Sequence, residues 1–249
     1  MAEDTKQLYV YRYPHPAVTT DCVIFGYDVD TQKLQVLLIE RGIEPYKGRW
    51  AFPGGFLKPD ENAKAGALRE LGEETHMIGN VTKENLHEFG CFTEPDRDPR
   101  ERIITIAFYA LIRKNPDVQG GDDAKRAEWY NLDDTPPLAF DHDHILARAR
   151  EQLKRSIHFE PIGFDLLPEE FTMTDLQNLY EQILDFKFDR RNFAKKMKEL
   201  GIVTQLQEKK KGKRRESYLY KFNKEQYAEM KKEENETEGD KKKTWRIEF

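Results

Sequence analysis

The chain has little of what export or membrane insertion would need. It has two cysteines in 249 residues, Cys22 and Cys91, each inside an apolar strand-like run, so no disulfide framework is expected and a reducing, intracellular setting is. No run approaches the roughly 20 apolar residues that span a bilayer, and the opening "MAEDTKQLYVYRYPHP" has neither a basic stretch nor an apolar one. Membrane insertion and signal-dependent export are therefore not expected, and internal repeats are absent. Positive charge is also short, with 41 Lys and Arg against 46 Asp and Glu, a net charge of −5.

That deficit is uneven. Residues 187–221 hold thirteen Lys and Arg against four acids, a local balance of +9, which leaves −14 for the rest of the chain. The length suits two modest domains, and composition changes near residue 155. Before that point "DCVIFGYDV", "LQVLLIERG" and "IITIAFYALI" read as strands, the first two joined by the polar hairpin "DVDTQK". A helix is expected from an Asp60 N-cap to about Thr75, and another over "HILARAREQLKR" with Ile145, Leu146, Ala149 and Leu153 in one stripe. This order indicates a mixed α/β or α+β domain at 1–155.

Residues 156–225 read differently. Thr172, or Thr174 with Gln177 in capping-box register, opens a helix with Leu176, Leu179, Tyr180 and Ile183 on its buried face. Asp189 caps a second, with Phe188 and Phe193 at staple positions, and Gly201 ends it. Two alternating segments around "KKKGKRR" form a hairpin, giving the outline of a winged helix. Residues 226–249 are a charged, low-complexity tail.

The stretch "GGFLKPDENAKAGALRELGEETHM" concentrates carboxylates. Glu70, Glu73 and Glu74 stand at i,i+3 and i,i+4 spacing on one helix face, opposite Ala63, Ala67, Leu68 and Leu71. Like charges so placed are either a solvated, mutually repelling face or a site that a hard cation gathers, and Mg²⁺ or Mn²⁺ shared with substrate phosphate suits oxygen donors. Gly55, then Glu61, then "RELGEE" resembles the Nudix box position by position. The resemblance implies an α/β/α sandwich, metal ligation and water activation by Glu70, Glu73 and Glu74 with the Gly55 carbonyl, and a shaping ion pair between Glu61 and Arg69. His76 stands where the box places glycine and reads as a strained left-handed helix cap in preference to a metal ligand.

Further segments, "HPAVTTDCVIFGYD", "LLIERGIEPYKGRWAFPGGF", "EPDRDPRERIITIAFYALI", "AFDHDHIL" and "EPIGFDLLP", make the chain similar to the Nudix-related transcriptional regulators of bacterial NAD metabolism over roughly residues 9–222. The resemblance implies a dimeric, cytoplasmic, metabolite-responsive DNA-binding protein with ADP-ribose or a related nucleotide in the Nudix pocket. The alternative, which does not exclude the first, is a Mg²⁺-dependent ADP-ribose pyrophosphatase yielding AMP and ribose 5-phosphate. Candidate ligand residues are Arg41, Glu44 and Lys47 before the box and Asp96, Arg97, Asp98, Arg100 and Arg102 after it, arginines being suited to bidentate phosphate contacts. Each is equally readable as a structural loop residue. Trp50 reads as core, Pro53 as shaping the turn into the box, and His142 and His144 as caps or core partners. For double-stranded operator DNA the candidates are Arg190, Arg191, Asn192, Lys195 and Lys196 on the second helix and Lys210, Lys211, Lys213, Arg214 and Arg215 at the hairpin tip, a solvated basic face being the alternative.

Overall fold

A computed structural model describes residues 11–76, 81–114, 124–158, 166–211 and 216–229. Strand β1 (Ala17–Asp28) forms the axis of the first domain. It pairs in parallel with β6 (Ile103–Arg113) and antiparallel with β2 (Lys33–Arg41) and β4 (Gly54–Phe56). Strands β3 (Trp50–Ala51) and β7 (Ala124–Asn131) both pair with β2, and β5 (Leu86–Phe92) closes the far edge on β6.

Alternation along β1 separates two layers. Cys22 and Ile24 face helix α1 (Ala63–Thr75), meeting Ala67 and Leu71. Val23, Phe25 and Tyr27 point the other way, into a cluster with Ile145, Leu146, Ala149 and Leu153 of α2 (His142–Ser156). The domain is thus the expected sandwich. Asn62, not Asp60, is the α1 N-cap, its side chain accepting from the Ala65 N–H, because the helix starts at Ala63 and the cap is the residue just before it. His76 ends α1 in the left-handed region at φ 56°, with its N–H on the Gly72 carbonyl.

The second unit follows the helix, turn, helix, hairpin outline. Strand β8 (Phe171–Thr172) runs into α3 (Met173–Leu184), which Thr172 opens with Asp175 in a reciprocal capping box. Gln177 is not in that box and bonds Glu181 and the Phe188 carbonyl. Asp189 caps α4 (Arg190–Glu199), accepting from the N–H groups of Arg191 and Asn192, and the Phe188 and Phe193 rings lie 5.5 Å apart. Gly201, at φ 72°, releases the chain into β9 (Val203–Lys211) and β10 (Glu216–Phe222), which with β8 make a three-stranded antiparallel sheet.

The two units share one apolar core. The cluster under α2 continues through Leu166, Leu167 and Phe171 to Leu176, Leu179, Tyr180, Ile183, Phe193 and Met197. Polar contacts border it: the Leu34 N–H donates to Gln182 Oε1 (3.2 Å), Arg113 Nε to the Leu167 carbonyl (2.8 Å), and Lys154 Nζ to Asp185 Oδ2 (3.2 Å).

Candidate functional site

A cavity of about 220 Å³ opens where β1, β4 and α1 meet the loops at 93–102 and 138–142. Sheet pairing builds its floor. Asp21 pairs with Gly54 and Thr20 with Gly55, and a Cβ at Gly55 would lie 2.5 Å from the Glu70 carboxylate, so only glycine lets that carboxylate rest against the strand. Glu74 is buried and its Oε2 accepts from the Gly54 N–H at 2.8 Å. Burial pushes its pKa up to about 8, with the Glu70 and Asp21 charges adding to the effect and the Gly54 N–H and Arg41 opposing it. Burial also raises Glu70, against the pull of Arg69.

Arg69 holds the loop on the helix. Its Nη2 and Nε reach Glu61 at 2.5 and 3.0 Å, holding that carboxyl down at about 2, while Nη1 donates to Glu70 (2.7 Å) and Glu73 (3.0 Å). Glu70 lines the cavity while Glu73 does not, and among the described residues no three His, Cys, Asp or Glu groups converge on one point. The three-carboxylate cluster expected from helix spacing is thus split, two members lining the cavity and two paired with Arg69. Donor chemistry nevertheless fits a hard divalent cation. Glu70 and Glu74 are oxygen donors raised by burial, with the Glu70 charge adding to the effect on Glu74, set beside a glycine that leaves them room.

Of the expected ligand residues, Arg41, Arg97, Asp98 and Arg100 line the cavity. Glu44, Lys47, Asp96 and Arg102 do not. Glu44 and Lys47 lie exposed in the β2–β3 loop, Asp96 is exposed, and Arg102 Nη1 bonds the Glu94 carbonyl. The bidentate phosphate fork expected of the loop arginines is mostly committed within the protein. Arg97 gives Nε and Nη2 to Asp141 (3.0 and 2.7 Å), and Arg100 gives Nε and Nη2 to Asp98 (3.0 and 2.7 Å). Burial pushes Asp98 up, but those Arg100 bonds outweigh it and leave the carboxyl below its ordinary range. Arg41 donates only Nε, to the Pro45 carbonyl (2.8 Å), so both of its terminal nitrogens lack partners among the described residues.

Trp50 is core, as its apolar context indicates, and Pro53 places its carbonyl on the Cys22 N–H. His144 is exposed at the edge of Phe92. His142 is a core partner that also lines the cavity: Nδ1 accepts from the Phe52 N–H (3.0 Å), and Nε2 faces Asp21 at 3.4 Å. Burial lowers its pKa, so the ring is neutral with the proton on Nε2. Asp21, Phe52, Phe56 and Phe140 line the site without having been picked out from the sequence. A carboxylate inside the apolar strand "TTDCVIF" was the available sign for Asp21.

On the second unit, Arg190, Arg191, Asn192 and Lys195 are exposed along α4 and Lys196 partly so, while Phe193 and Met197 face the core. Lys210 is exposed on β9, whereas the Lys211 side chain and Lys213, Arg214 and Arg215 lie outside the described residues. Lys209 sits over the exposed Tyr218 ring at 5.0 Å.

Fold and site together define a protein of two modules, a sandwich carrying a glycine-and-glutamate box and a winged helix presenting a basic second helix. Comparison with known proteins places both. Residues 15–149 match the NUDIX domain family and residues 163–222 the NrtR DNA-binding winged helix domain, so the chain belongs to the Nudix family, in the group fused to that winged helix. It is 35% identical over 214 residues to the ADPR responsive transcriptional repressor NtrR of Acinetobacter baylyi, covering 84% of this chain and 83% of that one. It is 39% identical over 142 residues to the ADP-ribose pyrophosphatase of Methanocaldococcus jannaschii, covering 57% of this chain and 78% of the other. NrtR of Shewanella oneidensis, solved with a 27mer DNA, superposes with a TM-score of 0.67 at 27% identity over 85% of this chain and 95% of that one. Its NUDIX domain, solved with ADP ribose, superposes with a TM-score of 0.51 at 31% identity over 57% and 90%.

Proposed function

We propose that this protein is a transcriptional regulator whose Nudix domain binds ADP-ribose and whose winged helix releases or engages operator DNA in response. The observation that carries this reading is the pairing, in one chain with a shared core, of a carboxylate-and-arginine cavity with an exposed basic second helix. A diphosphate suits the cavity, since Arg41, whose terminal nitrogens lack partners among the described residues, lines it together with Glu70 and Glu74. Mg²⁺ or Mn²⁺, held by Glu70 and Glu74 beside the Gly55 carbonyl, would neutralise the approaching phosphates, and Glu73 would join them only on leaving Arg69. On the DNA side, α4 is the reading helix, with Arg190, Arg191 and Asn192 toward base edges, Lys195 and Lys196 toward phosphates, and the basic hairpin alongside. Two copies on a palindromic site, in the cytoplasm, complete the picture, with the joint between domains just beyond α2.

The test begins by selecting bound sequences from random duplex DNA with the purified protein, then titrating ADP-ribose into the selected complex. A shift in DNA affinity of tenfold or more supports the reading, and an affinity indifferent to ADP-ribose sinks it. Catalysis is the second reading, favoured by the intact carboxylates of the box. A phosphorus NMR time course with ADP-ribose and Mg²⁺ checks it: new phosphomonoester signals absent from a Glu74→Gln control establish hydrolysis, and an unchanged spectrum removes it.

A further inference from the structure

We propose that Phe140 is a positioning residue for the phosphate-gripping guanidiniums, its ring setting Arg41 and Arg100 side by side so that together they hold a diphosphate. This rests on the reading of the cavity as an ADP-ribose site. The Arg41 guanidinium carbon lies 4.8 Å from the Phe140 ring centroid and that of Arg100 5.5 Å away, both within cation–π range. Phe56 also lies under Arg100, at 5.0 Å, but it is 41% exposed and has no such contact with Arg41, so Phe140 is the ring common to both.

The chain keeps that ring in place against a local preference. Phe140 has φ 54°, a left-handed conformation that glycine or asparagine adopts readily and a bulky side chain does not. Two aromatic neighbours fix its plane: Tyr46 meets it edge-on at 4.9 Å, and His142 lies 5.4 Å away. A turn alone would be better served by a smaller residue, so the side chain is what this position requires.

The function follows from the donors left over. Burial, and after it the Arg100 charge, disfavour the charged form of Arg41, and the electron-rich ring offsets part of that cost. Arg100 commits Nε and Nη2 to Asp98 and Arg41 commits Nε to Pro45, which leaves Arg41 Nη1 and Nη2 and Arg100 Nη1 for a ligand. A ligand with two linked phosphoryl groups matches donors from two arginines held by one ring, whereas a monophosphate needs one arginine only.

The experiment titrates the full chain, with Mg²⁺, against ADP-ribose and inorganic pyrophosphate by calorimetry, and records the thermal midpoint of each variant. Phe140→Leu is expected to weaken both ligands about tenfold, the combined worth of two partly desolvated cation–π contacts. Phe140→Tyr, which restores the ring face, should return affinity to within about twofold of the original. In an Arg41→Lys background the Phe140→Leu effect should shrink, because the ring acts through that guanidinium. If Phe140→Leu unfolds the chain, Phe140→Asn carries the test, since asparagine accepts the left-handed backbone. Unchanged pyrophosphate affinity in the ring-less variant, or a tyrosine variant as weak as the leucine one, overturns the proposal while leaving the ADP-ribose reading intact. If the original chain binds pyrophosphate but not ADP-ribose, the ligand reading falls and Phe140 is judged on pyrophosphate. Binding of neither overturns both.

Discussion

Glu74 is a carboxyl group that folding makes reluctant to ionise. Its pKa in the folded chain is about 8, against an ordinary 4.5, because burial beside Glu70 and Asp21 outweighs the Gly54 N–H. A raised acid favours the folded state fully only below the unfolded pKa, so without a cation stability declines from about pH 4.5 to about pH 8 and is level above that. Glu74→Gln keeps an acceptor for Gly54 and removes the charge. In chelator its thermal midpoint should exceed that of the original chain at pH 8 and match it near pH 4.5, and a pH-independent difference would contradict the shift. A cation that binds the ionised form releases a proton, so Mg²⁺ should raise the midpoint of the original chain more at pH 8 than at pH 6. Melting curves at the two pH values, with and without Mg²⁺, decide it.

At the level of elements, α4 is stabilised by its cap and by two core anchors, while its charged side chains stay in water. Asp189→Ala removes acceptors for the Arg191 and Asn192 N–H groups and should cost about 1 kcal/mol in denaturant unfolding. Neutralising Arg190 and Arg191 together should weaken DNA binding at least tenfold by fluorescence anisotropy, leaving the thermal midpoint and ADP-ribose binding unchanged, because both side chains are exposed. Both helices of this unit were legible because their caps are local: Asp189 needs only the next three residues. The start of α1 was not. "PDEN" places two carboxylates and an amide side by side, Asp60 and Asn62 both able to cap, and sequence alone does not say that Asn62 caps while Glu61 pairs with Arg69, eight residues on. In the same way helix spacing puts Glu73 on the face of Glu70 and Glu74, but does not show that Glu73 stays with Arg69 outside the cavity lining.

In the whole molecule, the sequence read as two domains with a joint near residue 155, and α2 ends at Ser156. What it left hidden is the depth of contact between them. Leu34 and Gln182 are 148 residues apart, and no periodicity links them, yet they bond across the seam of one shared cluster. The cavity divides along the same line. Arginines in loops announced themselves by type, whereas Asp21, Phe52 and Phe140 converge from separate segments that only the sheet brings together. Because the core is continuous, the full chain should unfold in a single calorimetric transition, and two resolved transitions would show that the seam does not couple the units.

Helix α2 has one end in each half of the molecule. Asp141, immediately before it, is gripped by Arg97 in the cavity wall, and Lys154 in its last turn holds Asp185 at the end of α3. Fifteen residues make a rod of about 22 Å. Such a rod is a lever: pivoted at one end, a tilt of about 5° displaces the other by roughly 2 Å, on the scale of the helix shifts through which switching proteins change state.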